Sequence, residues 1–123
     1  MMRFGICWTR IFPTGLEEKP NEEGLQFYEN VVDECLKYGI EPMITICHDE
    51  LPLYLANTYD GWSDRILIDC YVKLCKALFE RFKGKVKYWL TFNELNVLQG
   101  FSHLGTRNSD AQTTWQAIHH VSC

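Results

Sequence analysis

A chain of 123 residues with net charge -4 and scattered Lys and Arg carries no basic footprint, so nucleic acid is excluded as its partner. Its 46% hydrophobic and 14% aromatic content predicts a soluble globular domain with a substantial core. No apolar run approaches the roughly 20 residues that span a bilayer, which argues against a membrane protein.

The N-terminus, Met2 to Trp8, reads as a strand. It is too short and too mixed for a signal peptide, so the chain is expected to begin inside a folded element. A loop holding Pro13, Gly15 and Pro20 follows. A helix is predicted to start after Asn21 as N-cap, with Glu22 and Glu23 in the dipole-favoured first turn and Gly39 as its stop. Leu25, Tyr28, Val32, Cys35 and Leu36 recur along it at helical spacing.

Pro42 to Cys47 is a short, nearly continuous apolar run of the kind buried on both faces of a parallel sheet. The stretch from His48 to Trp62 reads as a long loop. A second helix is expected to open at Ser63 and close at Gly84, with Leu67, Cys70, Tyr71, Leu74, Cys75, Leu78, Phe79 and Phe82 as its apolar stripe. Val86, Tyr88, Leu90 and Phe92 alternate as a strand. A polar loop then runs to about Asp110, and a further helix begins near Ala111.

The resulting order, βαβαβα, predicts an α/β fold with a parallel sheet and right-handed crossovers. Three such strands leave apolar edges unprotected. A complete eight-stranded barrel takes about 250 residues, so residues 1–123 are expected to be a piece of a larger domain.

Six cysteines (Cys7, Cys35, Cys47, Cys70, Cys75 and Cys123) include no C-x-x-C pair and fall mostly on apolar faces. They read as free thiols, which points to a reducing cytoplasm. His119 and His120 are adjacent on a predicted helix and point apart, so they make a poor metal pair. No metal or other cofactor is expected.

The chemistry gathers at the strand ends. Arg3 lies in the first strand, His48 follows the second, and Asn93-Glu94 follow the third. Ligands meet parallel sheets at the C-terminal strand ends. A guanidinium, an imidazole, an amide and a carboxyl together suit a hydroxyl-rich ligand, because each makes directional hydrogen bonds. Glu94 could protonate a leaving-group oxygen. Taken singly, each has a plainer reading: Glu94 as a solvated loop residue, His48 as a loop anchor, Arg3 as a carboxylate partner, Trp62 and Trp89 as packing residues.

Taken together, the segments resemble glycoside hydrolase family 1, the β-glucosidase and 6-phospho-β-glucosidase family. Trp8-Thr9-Arg10-Ile11-Phe12-Pro13 is similar to its W-x-R-I-x-P segment, and Pro20-Asn21 through Gly24-Leu25-Gln26-Phe27-Tyr28 to its P-N-x-x-G-L-x-F-Y helix start. Tyr38 through Pro42, with His48 and Leu51-Pro52, resembles the third strand and its sugar-contacting His. Thr91-Phe92-Asn93-Glu94-Leu95-Asn96 resembles the T-F-N-E-[IL]-N signature.

The resemblance implies a (β/α)8 barrel, with this chain supplying about strands 2 to 4. It implies retaining hydrolysis of β-glucosides or 6-phospho-β-glucosides without a cofactor. Glu94 would be the general acid/base, Asn93 would bind the 2-hydroxyl, His48 the glycone, and Arg3 would orient the nucleophile. The Phe101 to Thr106 loop looks closer to the bacterial phospho-glucosidase branch.

Several positions depart from the family pattern. Asp49 stands where the family usually has an aromatic residue, Asp60 interrupts a Y-G-G-W segment, and Gly5 replaces a Ser. The nucleophile's T-E-N-G segment has no counterpart, so the isolated chain is expected to be inactive. An assembly module that completes a barrel with itself or another fragment, and a sugar-binding module keeping His48 and Asn93, are the alternatives.

Overall fold

The computed structural model describes residues 1–108 and 110–123. Three strands form one parallel sheet in sequential order: β1 (Met2–Gly5), β2 (Pro42–Cys47) and β3 (Tyr88–Phe92). The crossovers carry α2 (Glu22–Lys37) and α4 (Ile66–Arg81), each preceded by a short helix, α1 (Trp8–Ile11) and α3 (Leu53–Tyr59). After β3 come α5 (Gly100–Leu104) and α6 (Ala111–Ser122).

Local chemistry explains where the crossover helices begin. The Asn21 side chain accepts from the Glu23 N–H at 3.1 Å and caps α2. The α4 helix starts at Ile66 rather than at Ser63. Asp64 Oδ1 accepts the Ile66 N–H at 2.9 Å, while the Ser63 hydroxyl donates to the Asp60 carbonyl at 2.8 Å and closes the preceding turn instead. Past α2 and α4, Gly39 and Gly84 take the left-handed conformation that ends a helix (φ +69° and +79°).

Strand register decides the architecture. Phe4, Ile44 and Trp89 form one row across the sheet. Phe4 stacks on Tyr28 of α2 (6.4 Å), and Trp89 meets Phe79 of α4 edge-on (4.9 Å), so this row faces the helices. By strand alternation, Arg3, Met43 and Tyr88 face the other way, as do Gly5, Thr45 and Leu90. Tyr88 and Leu90 are exposed. Both crossover helices therefore cover one face while strand order stays sequential. That is the arrangement of a barrel wall, with helices outside and the second face turned to the lumen. A doubly wound sheet would reverse strand order and cover both faces.

The helix layer is fastened at its outer surface. Arg81 bonds Glu22 and Glu29, and Lys85 bonds Glu29 and Asp33, at 2.6–2.9 Å. These contacts join α4 and the turn after it to α2. Lys85 and Arg81 together hold the Glu29 carboxyl below its ordinary range.

Besides the later start of α4, the third strand begins at Tyr88 rather than Val86, and three further expected boundaries are corrected. The first strand ends at Gly5 rather than Trp8, because Trp8–Ile11 coils into α1 and buries Trp8 and Ile11. The stretch expected as a loop from His48 to Trp62 contains α3 and a 3₁₀ turn at Gly61–Ser63, which bury Leu55, Ala56 and Trp62. The polar loop after β3 contains a 3₁₀ turn at Leu95–Val97 and α5. No helix among the described residues is long and apolar enough to cross a membrane.

Candidate active site

The site gathers at the C-terminal ends of β2 and β3, which the Arg3 side chain reaches from the second residue of β1. Arg3, from β1, donates through Nε to Thr45 Oγ1 of β2 (2.9 Å) and through Nη2 to Asn93 Oδ1 beyond β3 (2.8 Å). The Asn93 backbone N–H donates to the Cys47 carbonyl at 3.0 Å, extending the β2–β3 ladder by one rung. One guanidinium therefore spans the whole sheet and ties the amide preceding Glu94 to both neighbouring strands. Charge-assisted bonds of this kind are the stronger class.

Glu94 itself sits at a bend. Its backbone is left-handed (φ +46°, ψ +47°), and its carbonyl accepts the Val97 N–H at 2.9 Å. A non-glycine residue in that region is uncommon, and such outliers concentrate at functional sites. Its carboxylate is exposed and has no hydrogen-bond partner among the described residues.

The floor beneath is aromatic. Phe92 stacks on Tyr71 of α4 at 4.7 Å, and Trp62 lies edge-on to both rings at 5.6 and 5.8 Å. The Tyr71 hydroxyl donates to the Thr91 carbonyl at 2.7 Å, and burial raises its pKa. This packing fixes the backbone that leads into Asn93-Glu94. Cys47 is no nucleophile here: burial pushes its thiol up to about 12, and its S–H donates to the Glu50 carbonyl.

Of the four expected site residues, the structure joins Arg3 and Asn93 directly. His48 follows β2 as expected but is exposed and stands outside the Arg3 network, with Nε2 3.7 Å from Asp49 Oδ2. Thr45 was missed by sequence reasoning. It is fully buried and is the one polar residue in the Met43–Cys47 run, which was its available signal.

Of the carboxylates near His48, Glu50 Oε1 accepts the Trp8 N–H at 3.1 Å, and Asp49 lies between His48 and His103. Among the described residues no group of three or more His, Cys, Asp and Glu could hold a metal ion. His120 spends both ring nitrogens on Trp62 and Gln116. Trp62 is a packing residue, buried against Trp8 and Tyr71. A largely apolar cavity of about 400 Å³ lies beside Tyr71, Phe92 and Val121, with Thr91 and Leu95, which flank Asn93-Glu94, also in its lining.

Residues 1–123 match Glycosyl hydrolase family 1 along their whole length. The chain belongs to that family. It is 55% identical over 96 residues to the aryl-phospho-beta-D-glucosidase BglH of Bacillus subtilis (strain 168), covering 78% of this chain and 20% of that protein. It is 46% identical over 122 residues to a 6-phospho-beta-glucosidase of Dickeya chrysanthemi, covering 97% of this chain and 26% of that one.

Among solved structures, a family 1 β-glucosidase from Thermotoga maritima superposes with a TM-score of 0.85 at 36% identity, covering 97% of this chain and 27% of that chain. The chain thus spans about a quarter of the length of these family 1 proteins. Its three strands form part of a family 1 barrel wall, as the one-sided helix cover requires.

Proposed function

We propose that these residues supply the acid/base half of a retaining β-glycosidase site, with Glu94 as the proton donor. The observation that carries this reading is the Arg3 guanidinium fixing Asn93, the residue before Glu94, at the strand ends of a family 1 barrel wall. With Asn93 Oδ1 occupied by Arg3, its amide N–H groups remain to donate to a sugar hydroxyl. His48 supplies a further ring nitrogen for the glycone. The remaining donors of Arg3 suit a carboxylate on the lumen side, which is the orienting role expected of it.

Retaining hydrolysis needs two carboxyls about 5–5.5 Å apart. One attacks the anomeric carbon while Glu94 protonates the departing aglycone oxygen. Glu94 then takes a proton from the water that releases the sugar. Asp49 and Glu50 are bound into the loop after β2 and do not replace the nucleophile. The 123-residue polypeptide alone is therefore inactive in this account. The parent substrate class is β-glucosides, and the phospho-glucosidase names of the relatives in Bacillus and Dickeya support the 6-phosphorylated form. Six unpaired thiols support a reducing cytoplasm as its location.

The test is hydrolysis of a chromogenic β-glucoside and of its 6-phosphate by the purified 123-residue chain. The expected result is no turnover above buffer. Turnover that Glu94→Gln abolishes would show that the chain holds a complete site and overturn this reading. The exposed lumen-side residues Tyr88 and Leu90 favour self-association as an additional property. Sedimentation showing a monomer at every concentration would remove it.

A further inference from the structure

We propose that Asp49 is a positioning residue that clasps the loop after β2 to α5 and sets the orientation of His48. The inference rests on the sugar-site reading only for the importance of His48. The clasp itself stands on geometry.

Asp49 is one of three non-glycine residues with positive φ (+61°) among those described, so its backbone is held in an uncommon conformation. The loop around it is pinned on both sides. The Cys47 thiol donates to the Glu50 carbonyl at 3.1 Å, and Glu50 Oε1 takes the Trp8 N–H at 3.1 Å. From this anchored bend the Asp49 carboxylate lies between two imidazoles on different segments. Its Oδ2 is 3.7 Å from His48 Nε2, and its Oδ1 is 3.7 Å from His103 Nε2 on α5.

The Oδ1 atom is buried and has no hydrogen bond. A buried carboxylate oxygen without a donor is costly, and the His103 imidazole is the group across from it that can offset that cost. At 3.7 Å the contacts are longer than hydrogen bonds, and they become ion pairs when the imidazoles are protonated.

His103 is itself held at its other nitrogen, Nδ1 lying 3.0 Å from the Gln99 carbonyl and 3.3 Å from the Gln99 nitrogen. With Nδ1 accepting the Gln99 N–H, or with the ring protonated, Nε2–H faces Asp49. The clasp therefore runs from the β2 loop through Asp49 and His103 into the segment that follows Glu94. A five-residue helix is too short to hold its place alone. A cavity of about 180 Å³ lined by Asp49, Glu50, Leu51, Phe101 and Ser102 shows that apolar packing between the two segments is incomplete. Leu51 also lies against Gly105, just past α5. Asp49 thus adds an electrostatic link where the packing is thin.

The test uses the 123-residue chain without ligand. Imidazole nitrogen and carbon spectra and amide hydrogen exchange are compared for the parent and for Asp49→Asn, which keeps shape and removes charge. The expected result is a joint shift of the His48 and His103 ring signals, with His119 and His120 unchanged. Exchange across residues 99–104 should quicken about two- to fivefold, the worth of a partly exposed ion pair. Asp49→Glu should restore part of both effects. Unchanged ring signals, or unchanged exchange at 99–104 with the strands still protected, would overturn the clasp. A variant that loses strand protection as well would overturn it too, by showing Asp49 to be a general folding determinant. Because no sugar is present, the outcome does not depend on the hydrolase reading.

Discussion

Replacing Arg3 with Met keeps most of the side-chain stem and removes the guanidinium that ties the three strand ends together. Two bonds are lost: Nε to Thr45 at 2.9 Å and Nη2 to Asn93 at 2.8 Å. They differ in consequence. Asn93 is half-buried, so water can replace the guanidinium there at little cost. Thr45 is fully buried, and its hydroxyl is left without that donor. An unsatisfied buried group costs roughly 1–3 kcal/mol, and a hydrogen bond to a charged group contributes about 1.5–3 kcal/mol. Since Arg3 is itself exposed, the lower part of each range applies, giving a loss of about 2 kcal/mol.

Urea unfolding followed by tryptophan fluorescence measures this loss. For slopes of about 1–3 kcal/mol/M, it moves the midpoint down by about 1 M. The decisive comparison adds Thr45→Val. Removing both partners of a buried bond while keeping shape can be nearly neutral. The double variant is therefore expected to recover about 1 kcal/mol relative to Arg3→Met alone, as a coupled pair should. A midpoint unchanged by Arg3→Met, or a double variant as unstable as the sum of the singles, would refute the argument that Arg3 preorganises the strand ends.

Two further outcomes follow from the packing and the charges. Gly24→Ala would gain about 1 kcal/mol from helix propensity alone. The added Cβ would sit 2.0 Å from the Arg10 carbonyl oxygen, so the variant is expected to lose about 1–3 kcal/mol net in the same unfolding assay. On acidification, Glu29 and Asp110 both have folded pKa values below their ordinary ones. Lys85 and Arg81 depress Glu29, and the Thr113 N–H depresses Asp110. Their stabilisation is complete above the ordinary carboxylate pKa and is lost as pH falls through the folded value. Stability should therefore drop below about pH 4, and Glu29→Gln should make that drop shallower.

The elements that sequence reasoning located well are those with a long, repeated signal. The α2 and α4 helices carry full apolar stripes and glycine stops, and β2 is a nearly continuous apolar block, so their places and types were legible. The short helices were not. Trp8–Ile11 is one turn directly after a strand, and α3 begins behind Pro52 without a side-chain cap, so neither offers enough periodicity to read.

The candidate site divides in the same way. Asn93 could be placed at a strand end from sequence, whereas Arg3 is the second residue of β1, opposite Met43, and reaches that end through its long side chain. Their direct bond, and the role of Thr45, depend on register, which no local pattern prints. The link from Asp49 to His103 joins the loop after β2 to α5, and only the folded backbone brings those residues together. The left-handed turn at Glu94 was equally silent, since nothing in Asn93-Glu94-Leu95 marks a positive φ as Gly would.

The central claim, that Glu94 is a proton donor for glycoside cleavage, is tested most directly by leaving-group dependence. Residues 1–123 are joined to the remaining barrel of the Thermotoga family 1 β-glucosidase, and Glu94→Gln is compared with the parent fusion. An activated aryl leaving group departs without protonation, whereas an alkyl alcohol does not. The account predicts that Glu94→Gln slows bond cleavage of an alkyl β-glucoside by about 10²–10⁴-fold, the usual worth of general acid catalysis, and slows cleavage of a dinitrophenyl β-glucoside far less. Equal losses on both substrates, or no loss on the alkyl glucoside, would contradict it.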